Sequence, residues 1–517
     1  MFLHKNNELP IKKHIWDMVP ASLWYILMFS GIILGWKPLS GDNFYQIAIG
    51  KIIIDQGIPH EIPLTVHTAE HLHYMAQQWL FMVVDYELFS HFGWISLLVL
   101  GVILDMAVVY AAYRMFLHVG DGRRIIAYPY AFFLSFFPLL MGGTGQFLRP
   151  YFVTCVLLIL EVLILENFRK ESPAKKGFIL FPLLSILSIN LHSAMWPMLF
   201  VMLLPYYAES MAEAFGILKK RIESYHAIPL KRLAYVSLLI LLFGLLNPYG
   251  TEAITYGLRS YGIPILREQS SEMMTLFYVR PVYAVIVIGI MATNLWLWKR
   301  FYVPLSYVLL SLGTGFMALL SFRSLLLFFL FAMLPVIYCS RTWRPIGIRK
   351  KWGPVLVMLC VSMPVYFFEI MYPDILGGPI LKHYARSEAI IREDAEELGI
   401  TPGPVFSPEF ESNYFMIHEI PVYYFTSDES FTRQMNQKFD VLREFLDVRK
   451  GRISLAVFDK KYGFHYYYVY KESLIGVALR NEPGFTLIYD SAIDPDSYMS
   501  PDGYAMCIYR GPSAQRF

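Results

Sequence analysis

Charge is what this chain has least of. Asp, Glu, Lys and Arg together make up 16% of its residues, where a soluble globular protein carries about 25%. The formal net charge is +3, and its basic residues are spread through short loops, so nucleic acid is excluded as a partner. Cysteine is scarce too. Cys155, Cys339, Cys360 and Cys507 form no CxxC pair and no Cys/His cluster, which argues against a disulfide framework and against a structural zinc site. No internal repeat or low-complexity tract stands out. The first apolar run lacks a small-residue cleavage site behind it, so it is expected to be a membrane span and not a cleaved leader.

Apolar and aromatic residues fill the space that charge leaves. Hydrophobic residues reach 56%, with 39 Phe and 36 Tyr. Apolar runs close to the roughly 18–20 residues that cross a bilayer fall at 18–36, 94–116, 125–142, 148–166, 233–248, 279–298, 302–320, 323–340 and 353–371. The stretch "GFILFPLLSILSINLHSAMWPMLFVMLLPY", 177–206, is too long for one span and is broken at "INLH". It reads as two short helices meeting at Asn190–His192. The expected fold is therefore a polytopic α-helical membrane protein of about 11 transmembrane helices, followed by a small C-terminal α/β domain.

The basic residues orient this layout. Lys12 and Lys13, Arg114 with Arg123 and Arg124, Arg169 with Lys170, Lys219 to Arg221, Lys299 with Arg300, and the run "SRTWRPIGIRKK" all fall on one side. By the positive-inside rule that side, with the N-terminus, is cytoplasmic. The outer face then holds the loop 37–93, the segment 249–278 and the tail 372–517, leaving 1–371 as the membrane module. In the tail, "PGPVFSPEF", "IPVYYFT", "ISLAVFD" and "GFTLIYD" read as strands, and 384–398 and 434–450 as helices.

The first outer loop opens with "GDNFYQIAIGKIIIDQGIPHEIP", 41–63. Residues 43–56 have apolar side chains on more than one face, which suits a helix lying along the membrane or under a protein roof. Residues 77–93, "QQWLFMVVDYELFSHFG", read as a second such helix, whose start brings Gln77, Gln78 and Trp79 to the membrane edge. Asp42, Gln46 and Gly50 are spaced by four and share a face. Asp42 has two readings: a helix cap that accepts a backbone N–H, or a general base at the outer surface that deprotonates an acceptor hydroxyl.

The layout also places Arg149, His192, Arg267, Arg280 and Arg323 at or beyond the outer edge. One reading is snorkelling to headgroups. The other is convergence on the phosphate of an anionic lipid, whose oxygens match the guanidinium fork. Asp105 and Glu161 lie mid-span, where an ionisable group either pairs inside the bundle or serves transport. His60, His67, His71 and His73 crowd the outer loop; their spacing admits a metal, with His67 and His71 four apart, but the segment is not clearly helical and no metal is expected.

"GDNFYQIAIGKIIIDQGIP", "AQQWLFMVVDYELFSHFGW", "FLRPYF", "INLHSAMW", "LLNPYG" and "FRSLLLFFLFAMLP" follow one another along nearly the whole chain. In this order they resemble the GT-C superfamily of integral-membrane glycosyltransferases, and more closely its bacterial branch with an outer α/β tail. The resemblance implies that Asp42, at the head of the first outer helix, is the catalytic base, with Gly50, Gly57 and Pro59 at the positions that follow it. It implies a polyprenyl-phosphate-linked sugar as donor, its phosphate held among Arg149, His192, Arg267, Arg280 and Arg323, and an extracytoplasmic glycan, lipid or protein as acceptor. Gln46, Gln77, Gln78 and Trp79 would support the acceptor or the loop. Where many members carry a second acidic residue, this chain has Asn43. One carboxylate is a poor site for a hard cation, so no cofactor and no divalent metal is expected. The alternatives are a transporter of lipid-linked saccharide or solute, built on Asp105, Glu161 and the broken 177–206 region, and a non-catalytic envelope assembly protein. The expected location is the plasma membrane of a bacterium, with the tail outside.

Overall fold

The computed structural model describes residues 41–135, 148–169, 176–217, 226–260, 271–342, 378–425, 440–494 and 505–515. The protein is mostly helical, with one small sheet near its C-terminus. Among the described residues four helices are long and apolar enough to cross a membrane: Trp94–Val119, Pro150–Phe168, Pro281–Arg300 and Phe322–Cys339. This is fewer than the eleven expected. The stretch 177–206 does break, into Lys176–Leu191 and Met198–Ala214, with His192 in non-helical backbone and a 3-10 turn, Ser193–Met195, between them. These helices have 16 and 17 residues and an internal proline each, Pro182 and Pro205. Leu230–Gly244 and Leu305–Leu320 have 15 and 16 residues. At about 1.5 Å per residue such helices fall short of the roughly 30 Å hydrocarbon layer unless neighbours extend them. The expected spans 18–36 and 353–371, and the second half of 125–142, lie outside the described residues.

Two helices belong to the first outer loop, α1 (Gly41–Gln56) and α2 (Trp79–Phe92). They are the two read from the sequence. Helix α1 does not lie open on a surface: Phe44, Gln46, Ile47, Ala48, Ile49 and Ile52 are all buried. One side packs on α2, the other on helix Glu409–Ile417 of the tail. Gly50 makes the first contact possible, because a Cβ there would sit 2.1 Å from the carbonyl oxygen of Met82. After α1, Gly57 turns the chain in the left-handed region, at φ 89°, which a side chain rarely adopts.

The sheet has the order β1 (Val405–Phe406), β2 (Tyr466–Tyr470), β4 (Met506–Arg510), β3 (Thr486–Asp490). Strand β1 runs parallel to β2, and the other pairs are antiparallel. Strands β1 and β3 fall within expected segments, and Val422, in "IPVYYFT", bridges Val405. "ISLAVFD" does not form a strand. Ser454 caps a helix there, accepting from the Val457 N–H, and Leu455–Tyr462 follows. Leu455 and Phe458, three apart, are buried while Val457 faces out, so helical spacing and a serine cap outweigh β-branched content.

The outer loop and the tail share this sheet. The Val66 N–H donates to the Val422 carbonyl and the Val422 N–H to the Leu64 carbonyl, both at 3.1 Å. Phe44 meets Tyr384 and Tyr414 edge-on, Tyr45 stacks on Tyr424, and Lys51 pairs with Glu419. His67 is buried between Tyr423 and Tyr462. Burial first, then the charge of Lys461, lowers its pKa to about 3, against a hydrogen bond with the Tyr424 backbone that acts the other way. The folded state therefore keeps His67 neutral while an unfolded chain protonates it below about 6.5. Acidification from pH 6.5 to 5 should cost about 2 kcal/mol of stability, at ~1.4 kcal/mol per unit. Thermal unfolding of the intact protein across that range should show a falling midpoint, and His67→Gln should flatten the slope. An equally steep slope in the variant would assign the effect elsewhere.

Candidate functional site

Two Arg-Pro dipeptides prepare the site. Proline disfavours helical backbone in the residue before it and fits the first position of a helix. Arg149 and Arg280 are accordingly non-helical N-caps, Arg149 with extended backbone, and Pro150 and Pro281 open the helices behind them. Arg149 is thereby held off the end of helix Pro150–Phe168 and reaches across to α1.

There it meets two carboxylates. Its Nη2 lies 2.8 Å from Asp42 Oδ2 in the first turn of α1. Its Nη1 donates to Glu272 Oε1 and Oε2 at 3.0 and 2.8 Å. Burial opposes the charge on Arg149, but Asp42 and Glu272 overcome it and raise the guanidinium above its ordinary value. Asn43, next to Asp42, donates from Nδ2 to the Leu148 carbonyl at 3.2 Å and towards Gln46 Oε1 at 3.4 Å. The asparagine thus ties the head of α1 to the segment that presents Arg149, and the second carboxylate comes from Glu272, over 200 residues away in sequence.

Glu272 is placed by a 3-10 turn, Ser271–Met273, that is clamped to a second turn, Phe322–Ser324. Ser321 Oγ donates to the Glu272 carbonyl, and the Phe322 N–H to the Met274 carbonyl, both at 3.1 Å. The second turn carries Arg323, half-buried and without an ion pair among the described residues. His192 is buried in the break between helices, with Nδ1 2.9 Å from Thr154 Oγ1. Burial, then Arg323 and Arg149, lowers its pKa to about 3, so its imidazole is neutral at any physiological pH. His192 is joined through Thr154 to the first turns of the helix that follows Arg149, and Arg323 stands on the turn clamped to Glu272, the partner of Arg149.

The outer loop is fastened to this break. The Ser193 N–H donates to the Gln77 carbonyl, and Trp79 Nε1 to Asn190 Oδ1, both at 2.9 Å. Gln78 caps α2. Gln46 is buried beneath Asp42. Of the expected cations, Arg149, His192 and Arg323 come together. Arg280 is exposed at its helix start, with no ion pair to the group among the described residues, and Arg267 lies outside them. The histidines of the outer loop disperse: His73 to Glu252, His71 to Glu61, His60 stacked on His73, His67 into the tail junction. Among the described residues no three His, Cys, Asp or Glu side chains converge as a metal site. No protein-family model and no curated protein matches the chain.

Sequence reasoning missed Glu272, which sits in "QSSEMM" with no periodicity or motif to mark it. It also missed a buried network at the opposite end of helix Pro150–Phe168. Arg169 pairs there with Glu166 at 2.9 Å and Glu209 at 2.6 Å. Tyr206 and Tyr307 donate to Glu166, and Arg169 Nη2 to Ser306 Oγ. Arg169 had been read as one loop cation among several.

Proposed function

We propose that the protein is a GT-C-like inverting glycosyltransferase that moves a sugar from a polyprenyl-phosphate-linked donor to an extracytoplasmic glycan, lipid or protein. In this reading the chain spans a bacterial plasma membrane about eleven times, its basic loops and N-terminus inside and its tail outside. Asp42 accepts the proton of an acceptor hydroxyl. The hydroxyl oxygen forms a bond to the anomeric carbon from the face opposite the leaving group, the bond from that carbon to the phosphate oxygen breaks, and polyprenyl phosphate departs as the anion. Arg323 and Arg149 stabilise its negative charge, in a site whose low dielectric strengthens such contacts. Neutral His192 adds no charge and orients through Thr154.

The observation that carries the reading is the grouping of a half-exposed carboxylate with Arg149, Arg323 and His192 at the ends of apolar helices. A base and cations that suit a phosphate stand side by side there. A second reading is transport. Asp105 Oδ2 and both carboxylate oxygens of Glu161 are buried and have no hydrogen-bond partner among the described residues, and an ionisable group inside a membrane is a functional candidate. One assay separates the two. Purified protein in nanodiscs is given labelled polyprenyl-phosphate sugars with membrane extract as acceptor, and released polyprenyl phosphate is measured. Release above an empty-nanodisc control supports the transferase. No release, together with proteoliposome flux that Asp105→Asn and Glu161→Gln abolish, supports transport and overturns it.

A further inference from the structure

Arg149 uses its donors unevenly. Nη1 serves both oxygens of Glu272, Nη2 serves one oxygen of Asp42, and Nε is buried with no partner among the described residues. Nε and Nη2 form one edge of the guanidinium, the edge that receives two oxygens side by side. Asp42 engages Nη2 alone and leaves Nε without an acceptor among the described residues. The Asp42 side chain is also the looser partner, 46% exposed against 17% for Glu272. Two further buried polar atoms are in the same condition. Ser193 Oγ and Gln77 Oε1 have no partner among the described residues, and these two segments are joined by the bond from the Ser193 N–H to the Gln77 carbonyl.

The geometry points to a partner exchange at Arg149: two oxygens of a phosphate ester take the Nε/Nη2 edge, Asp42 leaves it, and Glu272 stays. A phosphate fills both donors of the edge and satisfies the orphaned Nε–H, whose desolvation is otherwise uncompensated. Asp42 fills only one. Glu272 is the positioning residue that holds the guanidinium in place while its other edge changes partner. The Asn43 tie to Leu148 keeps the head of α1 beside Arg149 throughout, so the released Asp42 carboxylate remains at the site. Resting on the transferase reading, the exchange adds an order to it. The donor binds first, and its phosphate frees the base for the acceptor.

The test is a binding measurement that needs no turnover. Full-length protein in nanodiscs is titrated with farnesyl phosphate, with farnesol as the uncharged control and inorganic phosphate as the headgroup alone. Asp42→Asn should bind farnesyl phosphate about two- to fivefold more tightly than wild type, the factor expected when a half-exposed ion pair no longer competes. The gain should vanish in Asp42→Asn combined with Arg149→Gln. Inorganic phosphate should show the same gain at lower affinity if the headgroup suffices, and none if the lipid chain is needed to reach the site. Equal or weaker binding of farnesyl phosphate by Asp42→Asn, or no binding by wild type, overturns the exchange. Its fate separates from that of the transferase reading. A gain with no sugar transfer leaves the exchange standing and removes the enzyme, whereas transfer without a gain does the reverse.

Discussion

Asp42→Asn should lower sugar transfer by about a thousandfold, within the 10²–10⁴ range that a positioned general base contributes. The substitution keeps the shape of the side chain and removes its ability to take a proton. It leaves Asn43, Gln46 and the packing of α1 in place, so the thermal midpoint should stay near that of wild type. The loss should fall on kcat, because proton transfer to Asp42 belongs to the transition state, while the KM for the lipid donor should fall by the about two- to fivefold that release of Arg149 from Asp42 gives. Transfer within a few-fold of wild type, in protein that is folded and inserted, would remove Asp42 as the base. A donor KM raised in proportion to the lost rate would recast it as a binding residue.

The second large effect is on stability. Arg169 is the single guanidinium between Glu166 and Glu209, with all three side chains under a tenth exposed. Arg169→Met leaves two buried carboxylates facing each other without their cation, and breaking a buried pair in this way costs about 3–5 kcal/mol. Adding Glu166→Gln and Glu209→Gln to the same chain should recover most of the loss, since a neutral network no longer needs the arginine. Thermal unfolding in detergent or nanodiscs reads both. An unchanged midpoint in Arg169→Met would show that the network is solvated and contributes little, as surface pairs do. An equally large loss in the triple variant would assign the effect to the guanidinium's contacts with the Tyr206 and Tyr307 rings.

Much of the helical architecture was legible because apolar periodicity and length are local properties. The two outer-loop helices, the break at His192 and the four long apolar helices all follow from runs of residues read in order. The α/β tail was legible in outline. "ISLAVFD" was misread because a short apolar run of β-branched residues is ambiguous between strand and helix, and a serine cap three residues ahead of a backbone N–H decided it. Among the described residues fewer helices than expected are long enough to cross, since hydropathy registers the greasy run and not where the helical backbone ends.

The site divides in the same way. Asp42, at the head of an amphipathic stretch outside the first apolar run, and Arg149, fixed by the proline behind it, are features of neighbouring residues. The sequence by itself therefore determined that a carboxylate and a cation stand at helix starts. That Arg149 is shared between Asp42 and Glu272, that Asn43 fastens the two segments, and that Arg323 has no carboxylate partner among the described residues were decided only by the tertiary structure. Each depends on turns far apart in the chain brought together by helix packing, and a guanidinium with several donors carries no mark in the sequence of which acceptor will reach it.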